Sequence, residues 1–401
     1  MTRNYKAFLA VGILALAAGA CDPDRPVQVG VVLPLTGQWD VYGVPIKQGI
    51  ELAATHLAED SDRRFDIALD IRDSESNAER AAELLEATYD EGSLVAIGGV
   101  TSAEAEEMVP VLDREDRIMI SPSATSPRLT GISSNFFRVA PSDFREGAKM
   151  GNYAAQGLEL GTVVILAAES PYANGIQDVF KTEFERYGGE VLGVIEYPTG
   201  TTDFEPFIDQ VLELEPNGVY VADYAFEIAG IIDTLRERDY DGRILTTHAF
   251  NAADVIERLG ENAEGVLLTQ SLFDPNSDDP HVKKFVEAYR ETYGEEPNLF
   301  AAQAYDAFGV IGVALKEADS RLPNDFRKGI RAFQDYIGAS GPIQFDEKGD
   351  VGKFPRVYGV EEGVMVDFEK RMEEKKKELM ERMEELKRRQ REAARAAAQG
   401  G

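Results

Sequence analysis

Residues 162–197 read TVVILAAESPYANGIQDVFKTEFERYGGEVLGVIEY. Thr162–Leu166 is a short, β-branched apolar run with the length and character of a buried strand. Asn174–Tyr187 has the length and spacing of a helix, and Glu190–Tyr197 returns to strand character. The unit continues downstream as helix Phe204–Leu214, strand Gly218–Val221, helix Phe226–Arg238 and strand Arg243–Leu245, and a helix around Glu146–Leu158 opens the series. An earlier series precedes it. Strand Val27–Leu33 is followed by a helical face of Ile46, Ile50, Ala53 and Leu57, then strand Phe65–Ile71. A helix capped by Asn77 comes next, then strand Leu94–Ile97, helix Ser102–Asp113 and strand Arg117–Ile120. Alternating β and α units predict an α/β protein with parallel sheets. Two series predict two doubly wound lobes, with the chain crossing between them near Val139–Ser142. Ligands of such sheets bind beyond the carboxyl ends of the strands.

The chain has 401 residues, long enough for two or three domains, and 43% of them are apolar, which excludes wholesale disorder. Its 72 acidic and 42 basic side chains give a net charge of −30. That excess excludes a nucleic-acid partner, because phosphate binding needs clustered Lys and Arg. Residues 1–20 and 367–401 each carry +2, so the stretch between them carries −34.

Met1–Lys6 is short and basic, and Ala7–Ala20 is an apolar run too short to span a bilayer, so residues 1–20 read as a signal peptide. The small residues Ala18-Gly19-Ala20 precede Cys21, the only cysteine. A sole cysteine in that place resembles the lipid-modified cysteine of bacterial lipoproteins, with 21–26 as a tether. Ordinary signal-peptidase cleavage after Ala20 is the other reading. The first reading implies an extracytoplasmic protein held at the membrane by a lipid.

Enzyme signatures do not appear. The three histidines, His56, His248 and His281, form no HExxH or Cys/His set for zinc, and there is no Gly-x-Ser-x-Gly elbow, P-loop or Gly-x-Gly-x-x-Gly. No cofactor, metal or catalytic group is expected.

Seven segments in order resemble the type I periplasmic binding proteins, in the branched-chain amino-acid receptor group of ABC importers. They are Val29–Gly37 with Tyr42-Gly43; Ile97-Gly98-Gly99 through Ser102; Ser121–Pro127; Tyr172–Gly175 with Phe180; Asp203-Phe204; Ala304–Ala307; and Gly341–Asp346. The resemblance covers about 27–360. It implies two α/β lobes joined by a three-strand hinge, with 27–140 and 251–340 in lobe one and 141–250 and 341–362 in lobe two. It also implies a receptor that closes on a small polar ligand (an amino acid, amide or carboxylate) and delivers it to ABC permease subunits. A sensory module signalling through a partner protein is the alternative.

The resemblance carries over to a ligand site. Ser102 opens a helix whose N-terminal donors suit a carboxylate, and Ser123 and Thr125 match the loop that contacts the same ligand end. N-capping and turn formation are the ordinary roles of such residues. Tyr42, with Trp39 beside it, matches an aromatic lid, and Tyr172 and Tyr224 match aromatic positions from the opposite lobe. At His248 the family places an acid for the ligand's ammonium. A neutral histidine supplies no full negative charge, so Asp223 is the alternative anchor.

Residues 363–401 form a charged tail. Met365, Met372, Leu379 and Leu386 recur every seven residues, predicting a long exposed helix with a narrow apolar seam, through which oligomerisation is conceivable.

Overall fold

The computed structural model describes residues 25–399 apart from 115, 253, 254, 272 and 335, with side chains as far as 391. The expected signal peptide and Cys21 lie outside the described residues.

The first lobe starts with β1 (Val27–Leu33), α1 (Asp40–Glu59), β2 (Ile67–Asp73), α2 (Ala78–Asp90), β3 (Val95–Ile97), α3 (Ser102–Met108), β4 (Met119–Ser121) and β5 (Phe136–Arg138). Its strands run in the order β2-β1-β3-β4-β5, each pair parallel. The second lobe holds α4 (Asp143–Asn152), β6 (Thr162–Ala168), α5 (Pro171–Arg186), β7 (Glu190–Tyr197), α6 (Glu205–Glu213), β8 (Gly218–Ala222), α7 (Ala225–Glu237), β9 (Arg243–Thr246), α8 (Val255–Leu259) and β10 (Leu267–Gln270). The chain then returns to the first lobe with α9 (Pro280–Tyr293), α10 (Leu299–Glu317), α11 (Pro323–Ala332) and the hairpin β11 (Tyr336–Gly338) and β12 (Gly341–Ile343). It ends on the second sheet as β13 (Arg356–Glu361) and β14 (Val364–Asp367), followed by α12 (Phe368–Gln399). That sheet has the order β14-β13-β10-β9-β8-β6-β7, parallel from β6 to β10 and antiparallel at β13 and β14.

Three expected boundaries move. The lobe change expected at 250/251 falls after Gln270, because β10 pairs with β9, Leu267 opposite Leu245. The change expected at 340/341 also falls later. β12 pairs with β11, and Gly349 accepts the Arg138 backbone N–H, so the chain joins the second sheet only at β13. The tail expected from 363 begins with a strand, since Met365 pairs with Val360 in the sheet and the helix starts at Phe368.

Packing explains the rigid frame around the cleft. The strands β6 and β8 are buried on both faces, as a central parallel strand between two helical layers must be. On α1, a Cβ at Gly43 would sit 1.9 Å from the Pro34 carbonyl oxygen, and one at Gly49 would sit 2.2 Å from that of Ala301. Only glycine permits α1 to lie this close to the first-strand loop and to α10. The apolar α10 is long enough to cross a membrane, yet it is the buried helix of the first lobe. Arg138, fully buried at the end of β5, donates to both carboxylate oxygens of Asp350, at 2.6 and 3.0 Å, and so pins the last crossing segment to the first lobe.

Candidate functional site

The carboxyl ends of the strands from both lobes meet in one cleft. The loops after β3 and β4 bring Val100, Thr101, Ser102, Ser123 and Thr125, while α1 and α10 bring Tyr42 and Phe300. From the second lobe, the ends of β6, β8 and β9 bring Tyr172, Tyr224, His248 and Ala249. Together they line a cavity of about 20 Å³, room for about one water. Aromatic rings fill the rest. Tyr172 stacks on Tyr224 at 5.1 Å, and Tyr42 meets Tyr224 at 5.8 Å and Phe300 at 4.9 Å.

Seven of the expected residues share this cavity: Tyr42, Ser102, Ser123, Thr125, Tyr172, Tyr224 and His248. Two do not line it. Trp39 lies behind Tyr224, with ring centres 4.3 Å apart, and supports that wall from outside. Asp223 turns into the second lobe, where it accepts from the Tyr197 hydroxyl and the Tyr224 N–H, both at 2.8 Å. Burial, then the nearby Glu227 carboxylate, pushes its carboxyl up to about 7. The alternative anchor expected at Asp223 is therefore engaged within its own lobe.

Local bonding sets which donors remain. Thr101 caps α3 in a capping box: its hydroxyl accepts from the Glu104 N–H, while the Glu104 carboxylate accepts from the Val100 and Thr101 N–H groups. The first-turn N–H groups of Ser102 and Ala103 are outside that box. The Ser102 hydroxyl accepts from the Ser126 N–H at 3.1 Å, and the Ser123 hydroxyl donates to the Val100 carbonyl at 2.7 Å. Both hydroxyls thus tie loops together, the ordinary role weighed against ligand contact in the sequence.

Tyr42 joins the lobes. Its hydroxyl accepts from the Ala225 N–H at 2.8 Å and donates to the Ala249 carbonyl at 3.2 Å. Burial pushes its pKa well above the ordinary tyrosine value and so keeps that hydroxyl protonated. Tyr172 differs: its buried hydroxyl meets no partner in hydrogen-bond geometry, although Thr247 lies beside it.

Behind the wall of Thr125, Tyr172 and His248 lie two acids that sequence reasoning missed, Asp143 and Glu146, which form a trio with His248. His248 Nδ1 is 2.8 Å from Glu146 Oε2, and the ligating atoms of Asp143, Glu146 and His248 all fall within 4.8 Å. His248 is held by Glu146, so the trio is an ion pair with a third carboxylate beside it. Burial opposes charge on the imidazole, but the adjacent Glu146 outweighs it and raises His248 above its ordinary value. Asp143 is fully buried, and neither of its oxygens has a partner in hydrogen-bond geometry. Burial pushes it up to about 7, with His248 pulling down and Glu146 pushing up. The sequence did hold a signal: Asp143 and Glu146 stand three apart at the start of the helix after the first crossing, hence on one face. Starting that helix at Glu146 hid it.

Comparisons with known proteins agree with this architecture. The sequence model of a periplasmic binding protein family matches residues 26–355. The leucine-, isoleucine-, valine-, threonine- and alanine-binding protein of Pseudomonas aeruginosa is 23% identical over 354 residues, covering 88% of this chain and 94% of the relative. Among solved structures, the leucine-binding protein LivK of Thermotoga maritima superposes with a TM-score of 0.80 at 31% identity, covering 85% of this chain and 97% of that one. A solute-binding protein of R. palustris in complex with benzoate shares the fold, with a TM-score of 0.78 at 20% identity, covering 86% of this chain and 95% of that one. The chain belongs to the type I periplasmic binding proteins, in the branched-chain amino-acid receptor group.

Proposed function

We propose that this protein is an extracytoplasmic receptor that captures a small amino acid between its lobes and presents it to an ABC permease. The observation that carries this reading is the convergence of strand ends from both lobes on one cavity. On the first-lobe side stands Ser102, whose first-turn N–H is a donor suited to a carboxylate. Behind the second-lobe side stand two carboxylates against one imidazole, an acid excess that favours an ammonium. A zwitterion satisfies both walls at once; the cavity as it stands has room for about one water, so the lobes part and the aromatic rings swing aside to admit an apolar side chain. The leucine-binding name of the 31% identical relative supports the same choice. Ligand contacts to both lobes stabilise the closed form, since only differential affinity shifts an equilibrium between open and closed states. The signal peptide and a lipid on Cys21 would keep the receptor at the membrane beside its permease.

A thermal-shift screen over amino acids, amides, ureas and organic acids tests the reading, because a ligand of the folded state raises its apparent stability. At least one amino acid is expected to raise the melting temperature. Calorimetry with that amino acid should show weakened binding in Tyr172→Ala, and in Ser102→Ala through loss of the hydroxyl that ties the Ser126 loop to the cavity, with both variants still folded. Wild-type affinity in both variants would sink the site assignment.

A further inference from the structure

We propose that capture of an ammonium-bearing solute expels a proton from the Asp143–Glu146–His248 trio, so that pH sets the receptor's affinity for such solutes. The inference rests on the amine reading above and adds its regulation. The geometry has three parts. His248 is itself in the cavity wall with the two acids one layer behind it, so a cation entering the cavity acts on the trio across the imidazole. The trio is buried, with only His248 reaching the cavity. Its two acids face one base, so with every group ionised the cluster would hold an uncompensated negative charge in a medium that penalises it.

The groups around Asp143 leave few ways to settle that charge. Glu146 lies one turn along its own helix, and His248 comes from the loop after β9. Arg138 approaches from β5, but its guanidinium is committed to Asp350. Thr125 lies beside it, and Tyr172 from α5 and Tyr220 from β8 face it with hydroxyls that have no partner in hydrogen-bond geometry. In the free receptor a proton therefore balances the cluster, and burial holding Asp143 up to about 7 agrees with this. An arriving ammonium supplies that positive charge instead. The solute stays an ammonium, the Asp143 carboxyl becomes a carboxylate, and its proton leaves to solvent. A solute carrying only a carboxylate has the opposite effect and draws a proton in.

The test is calorimetry of the full chain with L-leucine and the other nineteen standard amino acids, and with 4-methylpentanoate, the leucine skeleton without its amine. Each titration is run in phosphate and in Tris, whose ionisation heats differ, from pH 6 to pH 9. The expected result for a binding amino acid is release of about one proton at pH 6, falling to about none at pH 9. Affinity should be about tenfold higher at pH 8 than at pH 6. His248→Gln removes the cation that faces Asp143 and should move the midpoint of this profile to higher pH. Asp143→Asn should abolish the buffer dependence. Amino-acid binding with heats independent of buffer and affinity independent of pH overturns the inference and leaves the receptor reading standing. Binding of 4-methylpentanoate with none of the twenty amino acids overturns the amine reading, and the inference with it. The wild-type buffer comparison needs no variant, so a misfolded substitution cannot mask either result.

Discussion

Tyr42 bridges the lobes through one hydroxyl, and Tyr172, in the wall of the same cavity, carries a hydroxyl with no partner in hydrogen-bond geometry. The two tyrosines therefore respond differently to loss of that oxygen. A buried polar group without a partner costs ~1–3 kcal/mol, so Tyr172→Phe should keep or raise the melting temperature of the free receptor while lowering ligand affinity, measured by calorimetry. Asp143 gives a pH prediction with a definite sign. Burial holds its carboxyl up to about 7 in the folded protein, well above the ordinary aspartate range. Its contribution to stability is present below about pH 4 and is lost as pH rises through about 7. Asp143→Asn should thus raise the melting temperature relative to wild type at pH 8 and change it little at pH 4, and an equal effect at both would refute the assignment. At this scale the sequence showed the cavity residues because they lie in loops between readable strands. It did not show which hydroxyls were already bonded, nor the pairing of Glu146 with a histidine 102 residues away. Asp223 was misplaced for the same reason: position after a strand end does not say which way a side chain turns, and Tyr197 draws it inward.

The crossing segments decide how the lobes are held. Arg138 on β5 is fully buried and grips Asp350 on the last crossing with two short bonds, while also donating to the Ser126 carbonyl and the Thr130 hydroxyl. Removing Asp350 leaves a buried cation unpaired, which typically costs ~3–5 kcal/mol. Asp350→Ala should lower the midpoint of urea unfolding accordingly, whereas a surface pair such as Lys283–Asp278 should be nearly silent when broken. Strands β1 and β6–β9 were legible because each is an apolar run flanked by helices of clear periodicity. The later elements were not. The four residues of β10, LLTQ, and the three-residue strands β11 and β12 are too short to carry a period. The seven-residue spacing of Met365 to Met372 continues the seam of the tail helix, but pairing with Val360 outweighs that pattern. Beyond it the helix is as expected, with Leu379 and Leu386 more than half exposed.

At the scale of the whole molecule, charge and chemistry separate. The acidic excess belongs to the two-lobed body, yet the cavity walls are hydroxyls, aromatic rings and one imidazole, with the acids one layer behind. Net charge thus describes solubility and surroundings rather than the solute. The lipidation proposed at Cys21 belongs to this scale too: palmitate labelling and globomycin-sensitive processing are expected to disappear in Cys21→Ser, and labelling that survives would contradict lipidation there. The proposed function has the two lobes close on an amino acid at the shared cavity. Its most direct test is calorimetric titration of the wild-type receptor and Tyr172→Ala with the amino acid that gives the largest thermal shift. The account predicts one site per chain in the wild type and a clear loss of affinity in the variant with its fold intact. Equal affinity in the two proteins, or no amino acid binding the wild type at all, would contradict it.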